Sequence, residues 1–290
     1  MSPRHTIRTR SGARARRLAA RSLADTLPGR VAGLVASLVL GLVSVVQAQT
    51  PPPKDTPDSP GQLAPLLTAT GDLNPAWRFV GFPKNHADLP PTRFAAAPLD
   101  ATRAVRVSTA SSYGTLVHAW KGQAPGHLHW QWRLDQPLTG GHTAPDLRTK
   151  AGDDAALKLC VMFDHPLDSV PLVERTLLRL ARSLSGETLP AATVCYVWDS
   201  AQAAGLRGAN PYTRRVRYIS LRGTEAPLGK WLAERRQVQQ DYLELFKDEA
   251  PGQAPAPLLA VVLGADSDNT TSTSRGWFNQ VQWQAPSGGR

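Results

Sequence analysis

The chain has 290 residues and a formal net charge of +10, a balance that would favour a nucleic-acid-binding protein if it were spread along the sequence. It is not evenly spread, because the first 30 residues contain eight arginines and one aspartate, which leaves +3 for residues 49–290. The composition of the remaining chain therefore excludes nucleic acid as an expected partner.

The N-terminal residues have the three parts of a secretory signal. The arginine-rich stretch is followed by an apolar run at residues 31–46 and by Ala48, a small residue suited to cleavage. The run is shorter than the roughly 20 residues that span a bilayer, and no second such run follows. We predict a Sec-type signal peptide over residues 1–48 with cleavage near Ala48, and hence a periplasmic or secreted protein without a membrane span after cleavage. An uncleaved anchor is the alternative.

Residues 49–70 are rich in proline and small polar residues, which is typical of an extended linker. The chain after it, residues 71–290, is long enough to bury one large core and shows no internal repeat. We therefore predict a single folded domain over residues 71–290.

Short apolar segments separated by proline and glycine fill this domain. Residues 105–109 and 115–120 predict a hairpin, and residues 127–134 alternate so that Leu128, Trp130 and Trp132 share one face. Further strands are predicted at residues 155–163, 193–198, 215–221, 258–263 and 278–283. The pattern favours a mostly β fold, an antiparallel β-sandwich or jelly roll of the galactose-binding-like kind.

Two segments break the strand pattern. Residues 171–184 have helical spacing, with a proline at the start and a glycine beyond the end, and predict a helical insertion between two strands. Residues 231–246 fit either one helix or a strand that leads into a short helix.

Cys160 and Cys195, the two cysteines of the chain, each lie inside an apolar strand-like run. An oxidising compartment permits a disulfide between them. Two buried thiols on neighbouring strands are the alternative, because a free cysteine packs as a small apolar side chain.

Two motifs could hold a metal ion. His127 and His129 lie on the same face of a predicted strand, as two zinc ligands would, but no third ligand is fixed nearby, and a solvent-facing pair explains them equally. Asp266, Asp268 and Asn269 follow an apolar strand and offer the oxygen ligands that calcium prefers. The alternative for this second motif is a turn that satisfies its own backbone.

Asp153 and Asp154 precede a strand, where they could form an acid/base pair or a turn with one salt bridge. The chain also has eight tryptophans, many for its size, and aromatic rings on a sandwich surface can stack on sugars. We expect two or three of them to face a ligand. No nucleophile elbow, zinc-protease motif or phosphate loop is present.

The order of several blocks resembles a known family. These blocks are WQW at residues 130–132, KAGDDAALKLCVMFD at 150–164, YVW at 196–198, and the stretches 231–246 and 266–277. Together they resemble the bacterial domain-of-unknown-function family 3047 over residues 77–283. The resemblance implies an exported β-sandwich with no assigned activity. Its recurrent acidic blocks correspond to Asp153, Asp154, Asp241, Asp266, Asp268 and Asn269.

These features favour a ligand-binding module of the cell envelope, with a carbohydrate or envelope glycan as ligand and calcium as the one expected cofactor. The residues predicted to bind the ligand are Asp153, Asp154, Trp198, Arg235, Asp241, Asp266, Asp268 and Asn269. Two alternatives stay open. One is an envelope polysaccharide hydrolase that uses Asp153 or Asp154 with Asp241, and the other is a purely structural module. The sequence indicates no oligomeric state.

Overall fold

The computed structural model describes residues 62–81, 88–185, 189–249, 252 and 254–285. The predicted signal peptide and the first part of the predicted linker lie outside these residues. Residues 62–70, which we assigned to the linker, are packed on the domain, because Leu63 and Leu66 are buried in its core and Leu67 forms a β-bridge with Leu73. The folded unit thus includes residues before position 71.

Twelve strands and two α-helices follow one another in the described chain. The strands are β1 (Arg78–Val80), β2 (Arg93–Leu99), β3 (Thr102–Ala110), β4 (Tyr113–Gly122), β5 (His127–Thr139), β6 (Leu157–Phe163), β7 (Ala192–Trp198), β8 (Arg207–Ala209), β9 (Val216–Arg222), β10 (Leu232–Arg236), β11 (Leu258–Asp266) and β12 (Thr273–Gln284). The helices are α1 (Leu172–Ser185), between β6 and β7, and α2 (Val238–Leu245), between β10 and β11.

The strands form two sheets. The large sheet has seven strands in the order β1-β4-β11-β6-β7-β9-β8, and the small sheet has five in the order β10-β5-β12-β3-β2. All pairs are antiparallel except β7 with β9, which run parallel. The predicted mostly β sandwich is confirmed, with this one parallel pair as a departure from a purely antiparallel design.

The core lies between the two sheets and follows from the alternation of the strands. Along β5, Leu128, Trp130, Trp132 and Leu134 are buried, whereas the residues between them are partly exposed. From the large sheet, Leu157 and other alternate residues of β6 pack against them in the same cluster. Trp132 of the small sheet contacts Trp198 of the large sheet at a ring separation of 5.6 Å.

The predicted hairpin of β3 and β4 is wrong. The two strands follow each other closely in sequence but belong to different sheets, and the chain crosses the sandwich between them. Ser111 takes a positive φ of 47° at the crossing, and the buried Ser112 receives a hydrogen bond on its carbonyl oxygen from the Ser267 backbone N–H. The local hairpin is instead β2–β3, closed at Asp100 with φ 53°.

Both segments with helical character are present. The helix predicted at residues 171–184 is α1, inserted between β6 and β7 as expected. The segment 231–246 follows its second interpretation, because β10 leads directly into α2. Within the described residues, no helix is both long and apolar enough to cross a bilayer.

Candidate ligand pocket on the outer face of the large sheet

The outer face of the large sheet, which points away from the sandwich core, is apolar at its centre. The sequence explains this because β6, β7 and β11 are apolar at almost every position and so bury both faces. Side chains of the loop before β6 cover part of this face. The resulting second cluster consists of Leu147, Ala155, Cys160, Cys195, Val197, Tyr218, Ala260 and Val262.

A pocket of about 120 Å³, here called the outer pocket, opens in this cluster. Its floor includes Cys160, Cys195, Val197 and Val262, and Leu178 of α1 adds to its wall. Cys160 and Cys195 are directly opposite in the register of β6 and β7 and form a disulfide, so the first of the two sequence interpretations is confirmed.

One end of the outer pocket is polar, and sheet topology explains why. Because β11 and β6 are antiparallel neighbours, the residues that end β11 lie beside those that begin β6, with Gly264 opposite Lys158. This register brings two motifs that are far apart in sequence into one group, here called the aspartate cluster: Asp153, Asp154, Asp266 and Asp268. Of these, Asp153, Asp154 and Asp266 line the pocket itself.

Asp154 has a structural role in this cluster. Its Oδ2 accepts hydrogen bonds from the Thr270 backbone N–H at 2.7 Å and from Thr270 Oγ1 at 2.6 Å. Its Oδ1 accepts a longer bond from Asn269 Nδ2 at 3.2 Å. Asp154 therefore joins the loop before β6 to the turn after β11, as an N–H and O–H acceptor rather than as a member of an ion pair.

Asp266 is the partner of the only lysine that lines the pocket. Its Oδ2 forms a short ion pair with Lys158, and its Oδ1 accepts from the Ala155 backbone N–H at 2.8 Å. Burial raises the pKa of Asp266 despite the charge of Lys158. Burial acts against a charged Lys158 too, but the charge and hydrogen bond of Asp266, together with Tyr113 and Asp153, outweigh it and raise the lysine pKa.

The other two carboxyl groups have no cationic partner of their own. Asp153 accepts one hydrogen bond from Asn210 Nδ2 at 2.5 Å, and burial together with the charge of Asp266 raises its pKa to about 7. Burial, with the charges of Asp266 and Asp154, raises the pKa of Asp268 to about 8. Asp268 Oδ1 is buried without a hydrogen-bond partner among the described residues. Such carboxyl groups favour the neutral form and can donate a hydrogen bond.

The predicted calcium ligands are only partly supported. Carboxylate oxygens of Asp154, Asp266 and Asp268 lie within 4.8 Å of one another, close enough to share one cation. Asn269 is not part of this group, because its Oδ1 accepts from Tyr212 Oη at 2.8 Å and its Nδ2 donates to Asp153 O at 3.1 Å. The third carboxylate of this group is therefore that of Asp154, and Asn269 does not belong to it.

Asp241 does not belong to the outer pocket. It accepts from Tyr196 Oη at 2.6 Å and from Arg236 Nε at 2.9 Å. Tyr196 belongs to the core between the sheets, whereas its neighbour Cys195 points to the outer pocket. Because successive residues of a strand point to opposite faces, Asp241 and Asp153 lie on opposite sides of the large sheet. They cannot form the predicted hydrolytic pair.

Trp198 and Arg235 are also absent from the outer pocket. Trp198 is buried in the core, so its predicted contact with a ligand is wrong. Six of the eight tryptophans are buried, and Trp231 and Trp283, which are half-buried, do not line the outer pocket. Arg235 lies on the small sheet and donates to His129 Nε2 at 3.1 Å, with its Nη2 3.0 Å from His127 Nδ1. The guanidinium therefore occupies the ring nitrogens that a zinc ion would need.

The sequence analysis missed Lys158, Asn210 and Tyr113 as pocket residues. Lys158 had a readable signal, because it is the single charge in the apolar run of β6. Asn210 and Tyr113 had none, since each comes from a loop or strand end whose neighbours are set by pairing that is distant in sequence.

A profile of a family described as "Protein of unknown function (DUF3047)" matches residues 75–282. This match confirms the resemblance found in the sequence. No curated protein matches the chain significantly.

Several solved structures are similar in outline. A family 30 carbohydrate-binding module of a cellulosomal cellulase from Clostridium thermocellum is 9% identical, with 68% of this chain and 84% of that chain covered and a TM-score of 0.32. The Cel12A catalytic domain of Humicola grisea, solved with thio-cellotetraose, is 10% identical over 76% and 99%, with a TM-score of 0.36. The K3 cleaved adhesin domain of Lys-gingipain from Porphyromonas gingivalis w83 is 10% identical over 76% and 99%, with a TM-score of 0.29. Similarity at this level carries no argument about ligand or activity.

Proposed function

We propose that this chain, which belongs to the DUF3047 family of proteins of unknown function, is an exported binding module whose ligand occupies the outer pocket. The observation that carries the proposal is the contrast within the pocket. An apolar floor meets a polar end where Asp153 is buried, Lys158 is half-buried, and Asp153 lacks a cationic partner of its own among the described residues. A concave apolar pocket with a few convergent polar groups of altered pKa is the usual form of a small-molecule site.

The ligand that we propose is a saccharide unit of an envelope glycan. The pocket has space for on the order of ten water-sized volumes, about the size of one sugar ring. One face of such a ring is made of C–H groups and suits the floor of Cys195, Val197 and Val262. Its hydroxyl groups can donate to and accept from Asp153, Asn210 and Lys158 at the polar end. The ring would lie on aliphatic and sulfur atoms, not on a tryptophan.

Binding, rather than hydrolysis, fits the acids of the pocket. A glycosidase needs two carboxyl groups that face each other across a cleft, about 5–10 Å apart. Here Lys158 engages Asp266, and Thr270 donates two hydrogen bonds to Asp154, so Asp153, with one hydrogen bond from Asn210, is the least engaged carboxyl group among the described residues that line the pocket. Asp241, the other member of the predicted pair, is on the far side of the sheet.

Export is part of the same proposal. The disulfide between Cys160 and Cys195 forms the floor of the pocket, and disulfides persist mainly in oxidising compartments. The basic and apolar leader of residues 1–48 supports the same assignment. A periplasmic or secreted protein would meet glycans of the cell envelope as its nearest polysaccharides.

A glycan array with the chain from residue 49 onward tests the ligand class. We expect retention of at least one envelope oligosaccharide, followed by calorimetry with that sugar. Asp153→Ala should weaken binding about tenfold through the lost hydrogen bond, and Val197→Phe should abolish binding by filling the pocket. Arg235→Ala, on the small sheet, is the matched control and should bind normally. Retention of no glycan, or equal binding by all three variants, would reject the proposal.

We also propose that the aspartate cluster can hold one calcium ion through Asp154, Asp266 and Asp268. Two observations support this proposal. Carboxylate oxygens of the three residues lie within 4.8 Å of one another, and Asp268 Oδ1 has no hydrogen-bond partner among the described residues. Calcium should raise the melting temperature of the wild-type chain relative to EDTA. Asp268→Asn should remove that increase, whereas Asp164→Asn, an exposed acid outside the cluster, should retain it. Equal melting temperatures with calcium and EDTA would reject the site.

A further inference from the structure

The helix α1 presents apolar side chains to solvent. Six large apolar residues are exposed among the described residues, and four of them belong to α1: Leu172 at 71%, Val173 at 72%, Leu177 at 49% and Leu180 at 55% exposure. These four residues are called the α1 patch below. A surface with several large apolar side chains on one short element marks a contact with something other than water.

The opposite face of α1 is fixed to the protein by polar contacts. Glu174 accepts from Arg215 Nε at 2.7 Å, and Arg182 Nε donates to the Leu189 carbonyl at 2.9 Å. Arg175 Nε donates to the Val170 carbonyl at 3.1 Å, and Leu178, on the same face, is buried. The orientation is therefore imposed by specific bonds. A helix that turned its leucines inward would have to break the Glu174–Arg215 ion pair.

The charges around the patch select its partner. α1 contains Arg175, Arg179 and Arg182 but only one acid, Glu174, which Arg215 already engages. Arg179 and the neighbouring Arg214 are each more than half exposed. Asp168, the acid beside Arg175 and Arg179, is 89% exposed, so its ion pairs are weak in water. Two copies of α1 in contact would bring these arginines together, which disfavours self-association through the patch.

From this arrangement we infer that the α1 patch docks on the surface of an anionic lipid bilayer. A helix with an apolar face, arginines at its border and too few residues to span lies flat at the interface, where hydrocarbon receives the leucines and lipid phosphates receive the arginines. Docking through α1 would hold the sandwich at a membrane, and it does not depend on the ligand proposed for the outer pocket.

Vesicle sedimentation with the chain from residue 49 onward tests this inference. The vesicles contain either phosphatidylcholine alone or an equal mixture of phosphatidylcholine and phosphatidylglycerol. We expect binding to the mixed vesicles and much weaker binding to the neutral ones. Leu177→Ser/Leu180→Ser should reduce the partition coefficient about a hundredfold, because two half-exposed leucines lose their transfer into hydrocarbon. Arg179→Gln should reduce it about threefold to tenfold.

Leu228→Ser is the matched control, since Leu228 is as exposed as Leu177 but lies outside the helix. It should bind like wild type. All variants change exposed side chains, and an unchanged melting temperature verifies that they fold. The inference is overturned if wild type does not bind the mixed vesicles, or if the double variant binds as well as wild type. It is also overturned if light scattering shows a dimer that the double variant dissolves while vesicles stay unbound.

Discussion

Two groups of buried charges differ in how completely they are matched. In the first, called the arginine cluster, Glu249 lies between Arg215 and Arg217, with Arg215 Nη1 at 2.7 Å from Glu249 Oε2. In the aspartate cluster, four carboxyl groups share the single ammonium of Lys158. Burial acts against a charged Glu249, but the nearby His165 ring, 3.5 Å away, and the guanidinium groups of Arg215 and Arg217 together outweigh it and lower its pKa to about 2. In the aspartate cluster burial prevails, and the pKa of Asp153 rises to about 7.

This difference indicates whether each cluster contributes to stability or to binding. A buried charge that is matched by its neighbours holds segments of the fold together and needs nothing further. A buried group with more acids than cations is incomplete until protons, a cation or a hydroxyl-rich ligand joins it. The arginine cluster is accordingly a stability element, and the aspartate cluster is the better candidate for binding.

The largest expected effect comes from breaking the matched group. Glu249→Gln leaves the buried guanidinium groups of Arg215 and Arg217 without their shared carboxylate, and should lower the free energy of unfolding by about 3–5 kcal/mol. Urea denaturation measures this change. Asp248→Asn is the control, because Asp248 pairs with the same Arg217 but is 44% exposed, and its loss should be below about 1 kcal/mol. Equal losses for the two variants would contradict the comparison.

The free energy of unfolding should fall at both ends of the pH range: an acid limb arises from a lowered pKa in the arginine cluster, and an alkaline limb from raised pKa values in the aspartate cluster. The pKa of Glu249 is lowered from 4.5 to about 2, so its contribution is present above pH 4.5 and is lost as the pH falls towards 2. The pKa of Asp153 is raised from 3.8 to about 7 and that of Asp268 from 3.8 to about 8. Their contribution is present below pH 3.8 and is lost as the pH rises through 7 and 8.

Melting temperatures in EDTA-containing buffers from pH 2 to 9 check both limbs. Asp153→Asn/Asp268→Asn should flatten the alkaline limb and leave the acid limb unchanged, whereas Glu249→Gln should flatten the acid limb. An alkaline limb that persists in the double variant would show that the aspartate cluster is not its source.

A smaller loss of unfolding free energy is expected when a single tyrosine hydroxyl group is removed. Tyr196→Phe removes the buried donor to Asp241, a bond to a charged group, and should cost about 1.5–3 kcal/mol. Tyr212→Phe removes a donor near the aspartate cluster that is partly exposed, and should cost less than about 1 kcal/mol. Thermal unfolding of the two variants side by side makes the measurement, and a reversed order would argue against the interior role of Asp241.

The smallest effect on stability is expected at Asp153, a residue of the proposed binding pocket. Asp153→Asn removes a carboxyl group that is mostly ionised, and unfavourably buried, at pH 8, above its pKa of about 7, so the free energy of unfolding at that pH should rise, or should fall by less than about 0.5 kcal/mol. Chemical denaturation at pH 8 checks this. A loss of several kcal/mol would place Asp153 with the matched, structural charges.

The strands were predictable from sequence because their periodicity is local. β5 is the clearest example, where alternation alone identified the buried side chains from Leu128 to Leu134. The family resemblance placed Asp153 and Asp266 in recurrent acidic blocks, but it did not predict that they converge, because the pairing of β6 with β11 is not visible in either segment alone. The same limit produced the wrong β3–β4 hairpin, since nothing in residues 110–113 specifies that the next strand joins the other sheet.

Trp198 and Asp241 show a second limit. Trp198 ends β7, and Asp241 contacts β7 through Tyr196. Because β7 is buried on both faces, its sequence does not alternate and does not indicate which face points to the core. Trp198 was therefore assigned to a surface that it does not reach, and Asp241 to a cleft on the wrong side of the sheet. The position of Tyr196 in the core shows which face of β7 points inward. It therefore shows where Trp198 lies, and on which side of the sheet Asp241 lies.

The place of the last two strands has a consequence for how the protein acquires its fold. β11 lies between β4 and β6, and β12 lies between β5 and β3, so the final strands of the chain occupy interior positions in both sheets. A chain emerging from its N-terminus would have two half-sheets with open edges until residues 258–284 arrive. Such long-range pairing is slow and leaves strand edges available for aggregation. Folding should therefore wait until residues 258–284 are available, and truncations that remove β12 should yield insoluble chains, not a smaller domain.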